Sequence, residues 1–329
     1  MIILIFLNGV NNKMKRYFKM YNYQNKFLGI LGKLFQKKID QYENKAMNNI
    51  KSYSKYSPIF IVGAPRTGST ILFEKLTNEL DLLYPNNLSW RFYNNFLFSF
   101  LLSKRFYNNK AHNCFDSDHG GTLGCGWNAP SECGTFWRKW IDIDNKNFYD
   151  KDDLTKQEKD EIKQDVLSVI NKFDKPILFK NLINGQMIRL LLDIFPNAKF
   201  IFVKRDMLLT AQSILKAKRK NGMGDSEYWS IKPKNYQKLK QIKNPYEQII
   251  KQIHYIEKQI IDDSKLIAKE NFLKVNYENL EEDLVKAKQF IGVEKRENYK
   301  NHEIYISNKI SLKDEEIKSF KSEIAKLGI

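Results

Sequence analysis

The chain has 329 residues, 42% hydrophobic and 13% aromatic, which is enough apolar mass for one large α/β domain or two small ones and excludes an unfolded chain. Its 55 Lys+Arg against 38 Asp+Glu give +17; this favours anionic ligands without choosing among nucleic acid, a membrane surface and small polyanions. The lysines run from end to end of a sequence also heavy in Asn and Ile, residues with AT-rich codons, so part of the excess reflects genome composition.

The run Met1 to Leu7 is apolar but spans about seven residues, against the ~20 of a membrane-crossing helix. No basic segment precedes it and no small-residue cleavage site follows, so the sequence predicts no transmembrane segment and no signal peptide, with Met14 or Met20 as alternative starts and a cytoplasmic location. Residues 1–56 read as a basic, helical lead-in, and 57–329 as one α/β domain.

The first strand is Pro58 to Val62, followed by a glycine loop and a helix from Ser69 to about Leu80. Residues from about 85 to 150 form an insertion, or cap. It holds an aromatic helix with Trp90, Phe92, Phe96, Phe100 and Phe106 that suits core packing, a loop with Gly120, Gly121, Gly124 and Gly126, and a helix from Ser131 to Ile141. Cys114, Cys125 and Cys133 are too few and of the wrong parity for a disulfide-built secreted domain, and a reducing compartment fits them. With His112 and His119 they form a loose cluster, but no paired C-x-x-C is present, so buried or half-buried thiols are expected and no metal. The charged run 151–165 reads as a solvated helix face. Further strands are expected at 177–179, 200–203 and 272–275, with helices at about 184–195, 206–219, 245–270 and 277–291. Strands alternating with helices predict a parallel sheet covered on both faces.

The loop itself, "IVGAPRTGST", has the glycine spacing of a phosphate-cradling turn between a strand and a helix. Such a turn aims backbone N–H groups at one point, where the helix dipole also favours an anion. Nucleotide triphosphatases place a lysine after the second glycine; here Ser69 stands there and Arg66 lies inside the loop. A planar, permanently charged guanidinium suits a phosphate or sulfate oxygen pair without a metal. The strand Phe200 to Val203 runs into Lys204-Arg205-Asp206, not into a magnesium-type Asp, so the residues favour a phosphorylated or sulfated nucleotide and disfavour metal-dependent hydrolysis. Arg205 falls at the carboxyl edge of the sheet, where open α/β sheets bind ligands, and Ser213, eight residues on, adds a hydroxyl.

"PIFIVGAPRTGST", "FPNAKFIFVKRDMLLTAQS" and "FLKVNYENLEEDL" together resemble the 5′-phosphosulfate loop, the 3′-phosphate segment and the carboxyl-terminal Y-E-[DN]-L segment of sulfotransferases. The nearest resemblance is to the branch with many bacterial enzymes, distantly related to the tyrosylprotein sulfotransferases. "APSECGTFWRKWI" and "YWSIKPKNY" are similar to segments of one bacterial subgroup. The resemblance covers about 58 to 292 and implies a P-loop-like parallel sheet flanked by helices. It also implies transfer of a sulfuryl group from 3′-phosphoadenosine 5′-phosphosulfate (PAPS) to a hydroxyl or amine, without a metal.

The resemblance assigns the 5′-phosphosulfate to Gly63, Ala64, Pro65, Arg66, Thr67, Gly68, Ser69 and Thr70, with Arg66 neutralising the leaving oxygen. It assigns the 3′-phosphate to Arg205 and Ser213. Lys180 matches a family lysine that touches the sulfuryl group, though a snorkelling surface lysine reads the same way. For the base, Glu132 at the expected helix start is favoured over His119 in Asp118-His119-Gly120. Glu in a first helical turn is also what ordinary dipole stabilisation predicts. Met207 and Leu182 stand where the family often has proline. The cap and the loop from Tyr228-Trp229 to Tyr236 are expected to line the site of a small-molecule or glycan acceptor, their aromatics suiting a sugar, a lipid-like alcohol or a phenol alike. No nucleic-acid motif accompanies the charge. The competing readings are a P-loop kinase or NTPase, and a non-catalytic relative that binds an anionic ligand.

Overall fold

The computed structural model describes residues 32, 34–48, 50, 55–116, 122 and 125–328. The apolar start, Met1, Met14, Met20 and the candidate base His119 lie outside the described residues.

Four strands, β1 (Ile59–Gly63), β2 (Leu178–Lys180), β3 (Lys199–Lys204) and β4 (Phe272–Asn276), form an all-parallel sheet in the order β2-β1-β3-β4. The fold is therefore α/β, as the alternation of strands and helices predicts. β1 is buried at all five positions, the continuous apolar run of a strand covered on both faces. Gly63 pairs with Val203 and Lys204 with Asn276, so the strands end together and their loops gather at one carboxyl edge.

Alternation along β1 divides the core. Phe60 and Val62 join Phe179, Phe200 and Phe202 on one face; Ile59 and Ile61 join Leu178, Ile201 and Val203 on the other. The second face is covered by α2 (Ser69–Glu79) and α11 (Leu280–Ile291). The first face carries α6 (Lys156–Phe173), α7 (Ile188–Ile194), α8 (Met207–Lys220) and α10 (Pro245–Ser264). The cap packs there too, through α3 (Asn87–Arg91), α4 (Phe96–Tyr107) and α5 (Gly134–Trp137). Of the aromatic helix expected to pack as core, Phe96 and Phe100 are buried, Trp90 and Phe92 are half-buried and Phe106 is exposed; Phe136 and Trp137 of α5 are almost fully buried. Within the lead-in, α1 (Gln36–Asn48) is helical, and α9 (Tyr236–Leu239) is a single turn.

Several expected boundaries shift for local reasons. The helix expected at 131–141 contracts to the one turn of α5, because Cys133 at its N-cap adopts φ 45. Glu132 therefore precedes the helix and does not sit in its first turn. α10 stops at Ser264, after which Leu266 and Ile267 N–H groups bond back three residues to Asp263 and Ser264. At 182–186 a 3₁₀ turn replaces the start of the expected helix, and a Cβ on Gly185 would stand 3.1 Å from Ile260.

Cys114 and Cys125 are joined in a disulfide, with Cα atoms 5.9 Å apart, which corrects the expectation of free thiols at those positions. Cys133 remains a thiol, and burial pushes its pKa up to about 12. After α11 the chain runs without regular structure to about 313 and ends in α12 (Asp314–Ala325), anchored by the fully buried Phe320. That run crosses the sheet's carboxyl edge: Gln212 Nε2 donates to the Lys309 carbonyl at 3.0 Å and Gln212 Oε1 accepts from Ser311 N at 2.7 Å. Among the described residues no helix is long and apolar enough to cross a membrane.

Candidate active site

The loop after β1 is shaped by two glycines that no other residue replaces without rearrangement. A Cβ on Gly63 would lie 2.6 Å from the Val203 carbonyl oxygen, inside the β1–β3 ladder. Gly68 caps α2 at φ 87, and a Cβ there would fall into the ring of Tyr277. Between them Thr67, fully buried, donates its hydroxyl to the Ala64 carbonyl at 2.9 Å and closes the turn. Arg66 is held in the left-handed region at φ 67, a strain of about 1–3 kcal/mol that the surrounding contacts offset. Ser69 and Thr70 occupy the first turn of α2, beside its unpaired N–H groups.

Arg66 and Ser213, 147 residues apart, are in contact: Arg66 Nε donates to Ser213 Oγ at 3.1 Å. Arg205 closes the group. Its Nη1 donates to the Arg66 carbonyl at 3.3 Å and its Nη2 to the Ser307 carbonyl at 2.6 Å, while the guanidinium lies 4.2 Å from the Tyr277 ring centre. Its Nε is buried with no partner among the described residues, a donor left over. Next to it, Asp206 caps α8 by accepting from Leu209 N at 2.9 Å, and its own N–H donates to Glu278 at 2.8 Å. The Tyr277-Glu278 pair after β4 thus positions the Arg205-Asp206 pair after β3.

On the other side stands Lys180, the last residue of β2. Its side chain is 4% exposed, which removes the surface-lysine reading, and its Nζ donates to the Glu132 carboxylate, itself 31% exposed. Asn181 fixes the approach by donating to the Glu132 carbonyl at 3.3 Å. Beneath Lys204, the buried carboxyl of Glu257 is raised above its ordinary range by burial, with the lysine at 3.4 Å opposing the shift.

One cavity of about 300 Å³ joins these groups. It is lined by Pro65, Arg66, Gly68, Ser69, Thr70, Glu132, Lys180, Arg205 and Ser213. Gly63, Ala64 and Thr67 are buried and are not among its lining residues. Leu182, Trp229, Ser230 and Tyr277 also line it. Sequence reasoning missed Tyr277 as a site residue, although it opens the Y-E-N-L segment; the only local signal was that motif. An arrangement of N–H groups, hydroxyls and two guanidinium groups at a sheet edge has the chemistry to hold an anion with more than one charged group. Among the described residues no three His, Cys, Asp or Glu side chains come together as a metal site.

A profile described as the sulfotransferase family matches residues 58–291, the segment that contains the sheet and every group above except the Ser307 carbonyl. The chain belongs to the sulfotransferase family. No curated protein matches the sequence. Among solved structures, the chain is similar to a sulfotransferase from Mycobacterium avium, with 12% identity and a TM-score of 0.46 over 88% of this chain and 72% of that one. It is similar to another from Mycobacterium tuberculosis H37Rv, with 12% identity and a TM-score of 0.46 over 94% of this chain and 83% of that one. A third likeness is the sulfotransferase domain of the Synechococcus PCC 7002 olefin synthase, with 14% identity and a TM-score of 0.42 over 85% of this chain and 98% of that one.

Proposed function

We propose that this sulfotransferase moves a sulfuryl group from PAPS to a hydroxyl of a small acceptor without a metal. The observation that supports this best is the meeting of Arg66, Ser213 and Arg205 at one end of a cavity whose other end holds the Lys180–Glu132 pair. In this reading Arg205, with its spare Nε, and Ser213 hold the 3′-phosphate. The backbone N–H groups around Ser69 and Thr70 hold the 5′-phosphosulfate. Arg66 spans the two, bonded to Ser213 while its own loop surrounds the phosphosulfate, and so neutralises both ends.

Lys180 meets the sulfuryl oxygens and in doing so releases the carboxylate of Glu132. Glu132 accepts the acceptor's proton as the new S–O bond forms and the bond from sulfur to the phosphate oxygen breaks. The products are the sulfate ester and 3′-phosphoadenosine 5′-phosphate (PAP), whose charge stays paired with Arg66 and Arg205. Glu132 is favoured over His119 as base because it is bonded to Lys180 in the cavity.

The test is calorimetric binding of PAP without magnesium, against ATP and an Arg205→Ala variant. Preferential binding of PAP that is lost on replacing Arg205 is the expected result. A preference for ATP with a magnesium requirement would return the loop to the kinase reading.

A further inference from the structure

The donor cavity shares Glu132, Leu182 and Ser230 with a second cleft of about 290 Å³, and the side chains of that cleft say what enters it. The sequence predicts aromatic walls. Instead Phe96, Phe136 and Trp137 of the cap pack together in the core, Tyr228 and Tyr236 pack on each other at 4.7 Å, and Trp229 lines the donor cavity. The cleft's apolar wall is aliphatic, made by Ile143, Leu182, Ile183 and Ile231, and no aromatic ring is among its described lining residues. Phenols and sugar rings are usually held against ring faces; this wall provides none and suits a methylene chain.

The polar wall holds the carboxylates of Glu132 and Asp144 and one ammonium, that of Lys232, and each carboxylate already has a cation bonded to it. Asp144 has both carboxylate oxygens bonded to Arg138, at 2.6 and 3.2 Å, and its charged form is favoured first by that bond and also by the nearby Lys232 ammonium, which spends no side-chain hydrogen bond on it. Among the described residues Lys232 donates only to the backbone carbonyl of Asp144, at 3.2 Å, and stands 5.0 Å from the Tyr236 ring centre. An ammonium has three donors, so Lys232 has capacity left for a ligand. It lies in the stretch 228–246, which holds Lys232, Lys234, Lys238, Lys240 and Lys243 and no Asp or Glu, in a chain whose overall ratio is 55 to 38. Codon bias supplies lysine but does not remove carboxylates. Nor is the stretch loose: Gln252, 2% exposed, donates to the carbonyls of Trp229 at 2.8 Å and Ile231 at 3.0 Å, the residues just before Lys232.

We propose that the acceptor is a hydroxyalkanoic acid: a hydroxyl presented to Glu132 at one end, a methylene chain along the isoleucines, and a carboxylate on Lys232. This rests on the sulfotransferase reading above and adds the substrate class to it. The sulfuryl group passes to the hydroxyl oxygen, the hydroxyl proton goes to Glu132, and the carboxylate is unchanged.

The test uses the full chain with PAPS and three acceptors: 6-hydroxyhexanoate, hexane-1,6-diol and 4-hydroxybenzoate. PAP binding is measured alongside on wild type, Lys232→Ala and Lys232→Arg, and it is expected to be equal in all three. The expected kinetic result is that 6-hydroxyhexanoate exceeds the diol by roughly tenfold in kcat/KM, the value of one charge-assisted contact, and exceeds the phenol by more. Lys232→Ala should erase that preference by raising KM for the acid, and Lys232→Arg should keep it. If PAP binds but the diol or the phenol is used as well as the acid, the inference is wrong and the donor reading stands. The inference is equally wrong if PAP binds and no acceptor is used, or if the preference survives Lys232→Ala. Absence of PAP binding to wild type would overturn both.

Discussion

The buried ammonium of Lys180 rests on the carboxylate of Glu132, which lies 48 residues earlier in the chain. Each group therefore answers for the state of the other. Glu132→Gln keeps the shape of the site and removes the proton acceptor, so kcat is expected to fall by about 10²–10⁴ with PAP affinity nearly unchanged. Lys180→Met should slow turnover as well, and the double variant should be far less than additive, because both substitutions break one unit. Steady-state kinetics of the three variants, run with PAP titrations, would check this; unchanged kcat in Glu132→Gln would remove the carboxylate from the mechanism.

Arg205 makes two carbonyl bonds and one ring contact at once, a combination that a planar fork achieves and an ammonium does not. Arg205→Lys is expected to weaken PAP by roughly 10–100-fold while leaving adenosine 5′-phosphate, which lacks the 3′-phosphate, within about twofold. Equal losses for both ligands would mean that Arg205 supports the loop and does not read the second phosphate.

Gly68 and Gly126 both have positive φ, at 87 and 82, but only Gly68 has a ring where a Cβ would go. Gly126→Ala should therefore cost about 1 kcal/mol of stability, from backbone strain alone. Gly68→Ala should cost more, on the order of 1–3 kcal/mol, and abolish PAP binding, because Tyr277 must move and Arg205 with it. Urea unfolding of the two variants separates these terms.

His112 is held neutral inside the protein. Burial pushes its pKa down to about 4, the Glu74 carbonyl at 3.1 Å and the Cys114 N–H at 3.0 Å fixing its two nitrogens. The unfolded histidine, near 6.5, binds a proton more readily, so the contribution is complete above pH 6.5 and is lost as pH falls towards 4. The loss should reach about 3 kcal/mol. Urea unfolding between pH 7 and 4 should show a smaller pH dependence in His112→Phe than in wild type; parallel curves would assign the acid sensitivity to other groups.

The Cys114–Cys125 bridge closes a segment of 11 residues, and its reduction is expected to cost about 2–3 kcal/mol. Alkylation of the denatured, unreduced protein should find one thiol, that of Cys133, and three would show the bridge open. A reducing glutathione pool would favour the open form. PAP affinity should be the same in both forms, because Arg66, Arg205 and Ser213 lie on other segments.

What the sequence made legible was local. The apolar run of β1, the glycine spacing and the strand end at Lys204-Arg205 are short-range patterns, and each stands within a residue or two of its expected place. Whatever depends on distant partners was hidden. Nothing near Arg66 indicates that its side chain ends on Ser213, and nothing near Tyr277 indicates that its ring lies under Arg205 and against Gly68. The run from 293 to 313 has neither helical nor alternating periodicity, yet it covers Arg205 through Ser307. The helix expected at 131–141 is longer than the one found because its apolar spacing is helical while Cys133 leaves the helical region. The bridge was missed because an odd, small number of cysteines argues about compartment and says little about geometry.

β1 sends Phe60 and Val62 to one core and Ile59 and Ile61 to the other, and the two ends of the donor cavity divide in the same way. Ser69 and Thr70 ride on α2, which is seated on one face, and Ser213 rides on α8, which is seated on the opposite face. A nucleotide gripped by both would act as a rivet through the rim of the sheet, resisting any sliding of one layer past the other. Its departure would leave the Arg66–Ser213 bond as the stitch across that seam, so loosening of the layers and loss of product would be a single event.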